Sequence, residues 1–227
     1  MSSSWILAAL CFSAGLAASP PIRVLARWLP DRLVADATGR AHPIWDDQWK
    51  SNARIGLLGL ALGTAFAGTA LLAGLHVPLF AWGLFTAMSL LLAMIDHHAQ
   101  LLPDMLTWPL LLLGLVVNMF NCFVPPTVAL AGAIAGYSTL RIANLYFQAV
   151  RGKTVLCPGD WKYMGAVGAW VGITHLPAVF ILAAIALPAY RMLPSRLRPA
   201  DGMLSFGPAL SVAGVACVTG ILLSTSR

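Results

Sequence analysis

VPLFAWGLFTAMSLLLAMI, residues 77–95, runs without a charged side chain and stops at Asp96-His97-His98-Ala99-Gln100-Leu101-Leu102-Pro103-Asp104. An apolar run of this length suits a helix that crosses the hydrocarbon core, which takes about 17–25 residues. Further apolar stretches cover residues 4–18, 55–75, 105–124, 127–148, 163–175, 177–193 and 206–224. With 77–95 included, this pattern predicts an all-α, polytopic integral membrane bundle of about eight transmembrane helices. Residues 1–54 read as a first helix plus a short basic cytoplasmic loop, and 55–227 as the main transmembrane bundle.

Composition agrees with that class. The 227-residue chain is 59% hydrophobic and 10% charged, with a mean hydropathy of +0.81. Soluble domains carry roughly 25% charged residues, so a soluble globular protein is excluded. The net charge of +6 is spread over separate connections between apolar runs and does not point to nucleic acid. Arg23, Arg27, Arg32, Arg40, Lys50 and Arg54 fall in one connection, Arg151, Lys153 and Lys162 in another, and Arg191, Arg196 and Arg198 in a third. The intervening connections hold neither Lys nor Arg. Alternation of this kind follows the positive-inside rule, and it predicts that Asp96, Asp104 and Asp160 all lie at the cytoplasmic face.

All eight acidic residues are Asp, and three of them fall in residues 96–104 and 158–162. Carboxylates at the edge of lipid are costly and require a partner or a function. Asp96 closes one helix and Asp160 opens another. If the two helices pack together, the acids meet. Two carboxylates held close in such a place cannot both ionise cheaply, so the pair divides into acid and base. An ionised member can activate water while a protonated one polarises a carbonyl. Pro158-Gly159 reads as a turn where a peptide could approach closely. Helix capping by Asp160 and Asp104 is the plainer account of the same residues.

The wider pattern favours the dyad. Ile95-Asp96 with Leu102-Pro103-Asp104-Met105-Leu106-Thr107 resembles the first signature of the type IV prepilin leader peptidases. Gly159-Asp160-Trp161-Lys162, continuing to Gly168-Ala169-Trp170-Val171-Gly172, is similar to the second, Gly-x-Gly-Asp-x-Lys with a small-residue helix. Phe206-Gly207-Pro208 resembles the opening of the family's last helix. The resemblance implies a membrane aspartic protease that removes the basic leader of prepilins or pseudopilins at the cytoplasmic face of the inner membrane. It makes Asp96 and Asp160 the catalytic pair, Asp104 and Gly159 supporting residues, and Lys162 a group that orients or neutralises Asp160. Peptide cleavage by this route needs no cofactor.

Two departures stand out. Cys157 occupies the place of the first glycine of the second signature. The connection before residue 55 lacks the Cys-x-x-Cys pairs that many members carry, which leaves N-methylation with S-adenosylmethionine in doubt. No set of Cys, His or Asp with metal-ligand spacing is encoded; His97 and His98 are adjacent and point about 100° apart on a helix. Arg141, inside an apolar stretch, is a candidate partner for Asp104 or Asp160. Glycines at 165, 168 and 172 read as close-packing surfaces. Two rival classes use the same residues: a proton-coupled small-molecule transporter, and a non-catalytic scaffold of a pilus or secretion apparatus.

Overall fold

A computed structural model describes residues 77–152, 156–191 and 206–225, with isolated positions at 13, 63, 64 and 67. The expected stretches 4–18 and 55–75 and the basic connection between them lie outside the described residues. Those residues form five helices and, among them, no strand: α1 (Val77–Ala99), α2 (Asp104–Met119), α3 (Pro126–Arg151), α4 (Pro158–Arg191) and α5 (Gly207–Thr225). Four segments are long and apolar enough to cross a membrane: Pro78–His97, Pro126–Arg151, Pro158–Pro188 and Gly207–Thr225. Helix α2 is apolar but shorter. The class expected from sequence, all-α and polytopic, is therefore observed.

Among the described residues alone, four such segments do not by themselves give the count of about eight. Apart from the stretches outside the described residues, the expected 163–175 and 177–193 helices are two helical segments of α4 that meet at a kink. The interruption lies at Gly172, with φ 73° and ψ 168°, rather than at Pro177, which sits inside the helix. A positive φ is cheap only for glycine. Pro177 lacks merely the N–H that would reach back one turn, a loss that falls just after the break. A straight helix of 34 residues would span about 50 Å at 1.5 Å per residue, well beyond a bilayer core of about 30 Å.

The chain divides into two compact units, residues 1–87 with 222–227, and residues 88–221. The first holds the start of α1, where Thr86 Oγ1 donates to the Trp82 carbonyl at 2.8 Å. The second holds the rest of α1, all of α2, α3 and α4, and α5 as far as Ile221. Its tightest packing is between α3 and α4. A Cβ placed on Gly136 would lie 2.6 Å from the Met164 carbonyl oxygen, and Gly132 and Gly168 meet backbone to backbone. Small residues at this spacing let two backbones touch, as membrane helices favour. The expected role of Gly165, Gly168 and Gly172 as packing surfaces is fulfilled, against partners on α2 and α3.

Local signals set the helix ends. Gln100 takes φ 50° after α1, and its N–H returns to the Asp96 carbonyl at 3.0 Å. Pro103, extended at φ −66° and ψ 132°, then prevents continuation and starts α2. Gly152, left-handed at φ 64°, caps α3 by donating to the Gln148 carbonyl at 3.0 Å, a common glycine C-terminus.

Candidate active site

Asp96 lies in the last turn of α1 and is buried. Its Oδ2 accepts the backbone N–H of Gly207, the first residue of α5, at 2.8 Å. First-turn N–H groups have no partner within their own helix, and the positive end of the helix dipole favours an anion there. The approach depends on glycine. A Cβ at 207 would stand 2.7 Å from Asp96 Oδ2 and 2.9 Å from its Cβ.

Asp160 lies in the first turn of α4 and is also buried. The sequence reading puts Asp160 at the opening of the helix; the helix begins two residues earlier, at Pro158. Proline suits that position because its missing N–H would be unmatched there anyway. From the third helical position Asp160 Oδ2 reaches back and accepts the Cys157 N–H at 2.8 Å, while its own N–H donates to the Cys157 carbonyl at 3.0 Å. This is one half of a capping box.

The connection between α1 and α2 packs on the start of α4. A Cβ on Gly159 would stand 2.5 Å from the Leu102 Cβ, so glycine allows the start of α4 to seat against residue 102. Within the chain, the close approach at Gly159 is made by Leu102. With α4 so seated, Asp96 is near enough to act electrostatically on Asp160. The Cys157 thiol feels both: burial pushes it above its ordinary range, and the Asp160 and then the Asp96 carboxylates push it further. Cys157 is itself exposed.

Lys162 was expected to serve Asp160. Its Nζ instead donates to both carboxylate oxygens of Asp104 at 2.7 Å. Asp104 does not cap α2, since Pro103 holds that position without a side-chain bond. The resulting pair ties the start of α2 to the start of α4. Arg141 pairs with neither Asp104 nor Asp160. Asp104 is already engaged by Lys162, and the Arg141 guanidinium lies 4.9 Å from the ring centre of Trp161, a cation–π distance. Trp161, next to Asp160 in sequence, is buried.

Sequence reasoning missed Gly207 as a partner of Asp96. The available signal was its place at the start of a helix, where an unmatched N–H attracts a carboxylate. It also missed a hydroxyl layer beneath the aspartates. Tyr163 Oη is 2.8 Å from Ser211 Oγ, which donates to the Ser89 carbonyl at 2.9 Å. Among the described residues, no group of three His, Cys, Asp or Glu side chains is placed to hold a metal ion.

Residues 83–191 match the family model of the type IV leader peptidase family. A prepilin leader peptidase/N-methyltransferase of Neisseria gonorrhoeae is 38% identical over 169 residues, 74% of this chain and 58% of that protein. One from Klebsiella pneumoniae is 40% identical over 133 residues, 59% of this chain and 58% of the other. A third, from Pseudomonas aeruginosa, is 41% identical over 138 residues, 60% of this chain and 46% of the relative. The chain thus spans about half the length of the curated relatives it matches. No solved structure matches.

Proposed function

From the match of residues 83–191 to the type IV leader peptidase family model, we propose that the chain is a membrane aspartic endopeptidase of that family, cleaving the basic leader from prepilins or pseudopilins. One observation carries this reading. Asp96 and Asp160, far apart in sequence, are buried at helix ends within electrostatic reach of each other and of the Cys157 thiol.

In the proposed reaction one carboxylate takes a proton from water as it attacks the scissile carbonyl, and the other, protonated, donates to the carbonyl oxygen. Gly207 and Cys157 hold one oxygen of each acid through a backbone N–H. That orients the remaining oxygens without adding a titratable group. Gly159 and the Asp104–Lys162 pair support the site by seating α4 against Leu102 and α2. Hydrolysis by this route calls on no cofactor. S-adenosylmethionine enters only if methyl transfer, which the relatives' names include, is retained.

The same reading gives the chain about eight spans in the inner membrane, with residues 1–54 as anchor and basic loop, 55–227 as the catalytic bundle, and the aspartates facing the cytoplasm. A membrane-impermeant maleimide would then label Cys157 in inverted vesicles and not in intact cells. The activity is tested by co-expression with a prepilin: wild type removes the leader, while Asp96→Ala and Asp160→Ala leave it. A precursor uncut in every case would return the chain to the transporter or scaffold class.

A further inference from the structure

Tyr163, Ser211 and Ser89 lie beneath the aspartates, and all three are buried. Tyr163 follows Asp160 by one turn on α4, Ser211 follows Gly207 by one turn on α5, and Ser89 precedes Asp96 by two turns on α1. Ser211 has a single hydroxyl proton and gives it to the Ser89 carbonyl at 2.9 Å. The Tyr163 hydroxyl must therefore be the donor in its 2.8 Å bond to Ser211 Oγ. Two hydrogen bonds in series thus join the three helices that carry Asp160, Gly207 and Asp96. Asp96 is near enough to Tyr163 to act on it electrostatically.

Along α5 the geometry is restrictive. Its edge toward α1 is fixed at two points one turn apart, by the Gly207 N–H on Asp96 and by Ser211 on the Ser89 carbonyl. With both in place, α5 can neither slide nor rotate relative to Asp96 without breaking one of them. Phenylalanine would fill the space of Tyr163 equally well, so what the hydroxyl adds is the link. The Ser89 side chain lies beside the Tyr163 hydroxyl and acts on it, while its backbone carbonyl accepts from Ser211.

We infer that Tyr163 and Ser211 are positioning residues for the Asp96–Asp160 pair, their hydroxyls holding α4 and α5 against α1 so that the two carboxyls meet. The inference rests on the peptidase reading. It concerns placement only, and neither hydroxyl need touch the substrate.

The test compares full-length wild type, Tyr163→Phe, Ser211→Ala and Ser211→Thr in membranes, cutting a prepilin across a pH series, per mole of folded enzyme. Tyr163→Phe and Ser211→Ala should lower kcat by about 10- to 100-fold, the scale of a small misplacement at a reacting centre, with KM within about twofold. The active pH range should narrow, because carboxyls held less closely couple less. Ser211→Thr, which keeps a hydroxyl, should recover most of the rate. An unchanged pH range in both disabling variants, whatever their rate, overturns the inference. If wild type cuts no prepilin, the peptidase reading fails instead. The pH midpoint of maleimide labelling at Cys157 then decides on its own: a downward move in Tyr163→Phe or Ser211→Ala supports the positioning role, and no move in either refutes it.

Discussion

Asn118 and Asp160 are both buried polar residues on helices that pack together, yet their partners differ in kind. The Asn118 amide nitrogen donates to the Ala169 and Trp170 carbonyls at 2.8 and 3.3 Å, and its oxygen accepts the Phe123 and Val124 N–H groups at 3.1 Å each. Both donors and both acceptor positions of the amide are used. Trp170 adds a bond from its Nε1 to the Leu110 carbonyl at 2.9 Å. Every group in this cluster is neutral. It sits beside the break at Gly172, where Ala169 and Trp170 would otherwise have carbonyls without helical partners. Asp160 and Asp96 are instead titratable acids, each anchored by a backbone N–H and placed within reach of the other. Buried polarity in the first region fixes the path of α4; in the second each acid is held by a backbone N–H, with Asp96 near enough to act electrostatically on Asp160.

The largest expected effect separates the two regions. Asp96→Ala or Asp160→Ala should abolish cleavage, a loss of at least about 10²–10⁴-fold for a group that moves protons, while folded protein accumulates as in wild type. Asn118→Ala should do the reverse. It strands four buried backbone groups, each worth about 1–3 kcal/mol when left unmatched, so thermal stability in detergent falls while activity per folded molecule is retained. Equal loss of specific activity in all three variants would erase the distinction.

Gly207→Ala tests the anchoring of Asp96. Its added Cβ would stand 2.7 Å from Oδ2, so either the carboxylate or the start of α5 must move. An activity loss of about 10- to 100-fold, with little change in abundance, is expected in the cleavage assay.

The fold class was legible because charge-free runs of spanning length have one physical outcome in lipid. That Asp96 lies within electrostatic reach of Asp160 was legible only through the spacing of motifs, since no local rule brings residues 64 positions apart near each other. Partners were the part that failed. Lys162 lies two positions after Asp160 and looks adjacent on paper, but residues two apart on a helix do not face each other. Its ammonium therefore finds Asp104 on another helix. Position 207 carries no side chain, and its contribution is a backbone N–H that no residue type announces. Pro177 looked like a helix end, whereas the positive φ needed at the break could be met only at Gly172.

Cys157 allows the charged region to be read without turnover. Its thiol is held above its ordinary range by burial, then by Asp160, then by Asp96. Removing a neighbouring negative charge favours the thiolate, so the labelling midpoint should move down in Asp160→Asn and by less in Asp96→Asn. Asn118→Ala should leave it unmoved. An equal midpoint in wild type and both Asn variants would mean that the carboxylates are not beside the thiol.

The smallest effect belongs to Asp104 and Lys162, and it shows where the charged region stops. Their contact is short at both oxygens, but the side chains are 56% and 27% exposed. Exposed pairs contribute about 0–1 kcal/mol, because water screens the charges and both side chains lose freedom. If the pair only seats α4 on α2, Asp104→Ala, Lys162→Ala and the double variant should lose similar, slight stability. The coupling energy of such a double-mutant cycle should stay below about 1 kcal/mol, and the pH range of cleavage should hold. Lys162→Ala alone narrowing that range, with Asp104→Ala leaving it intact, would mean that the lysine acts on Asp160 after all. The boundary between supporting and reacting residues would then shift to include it.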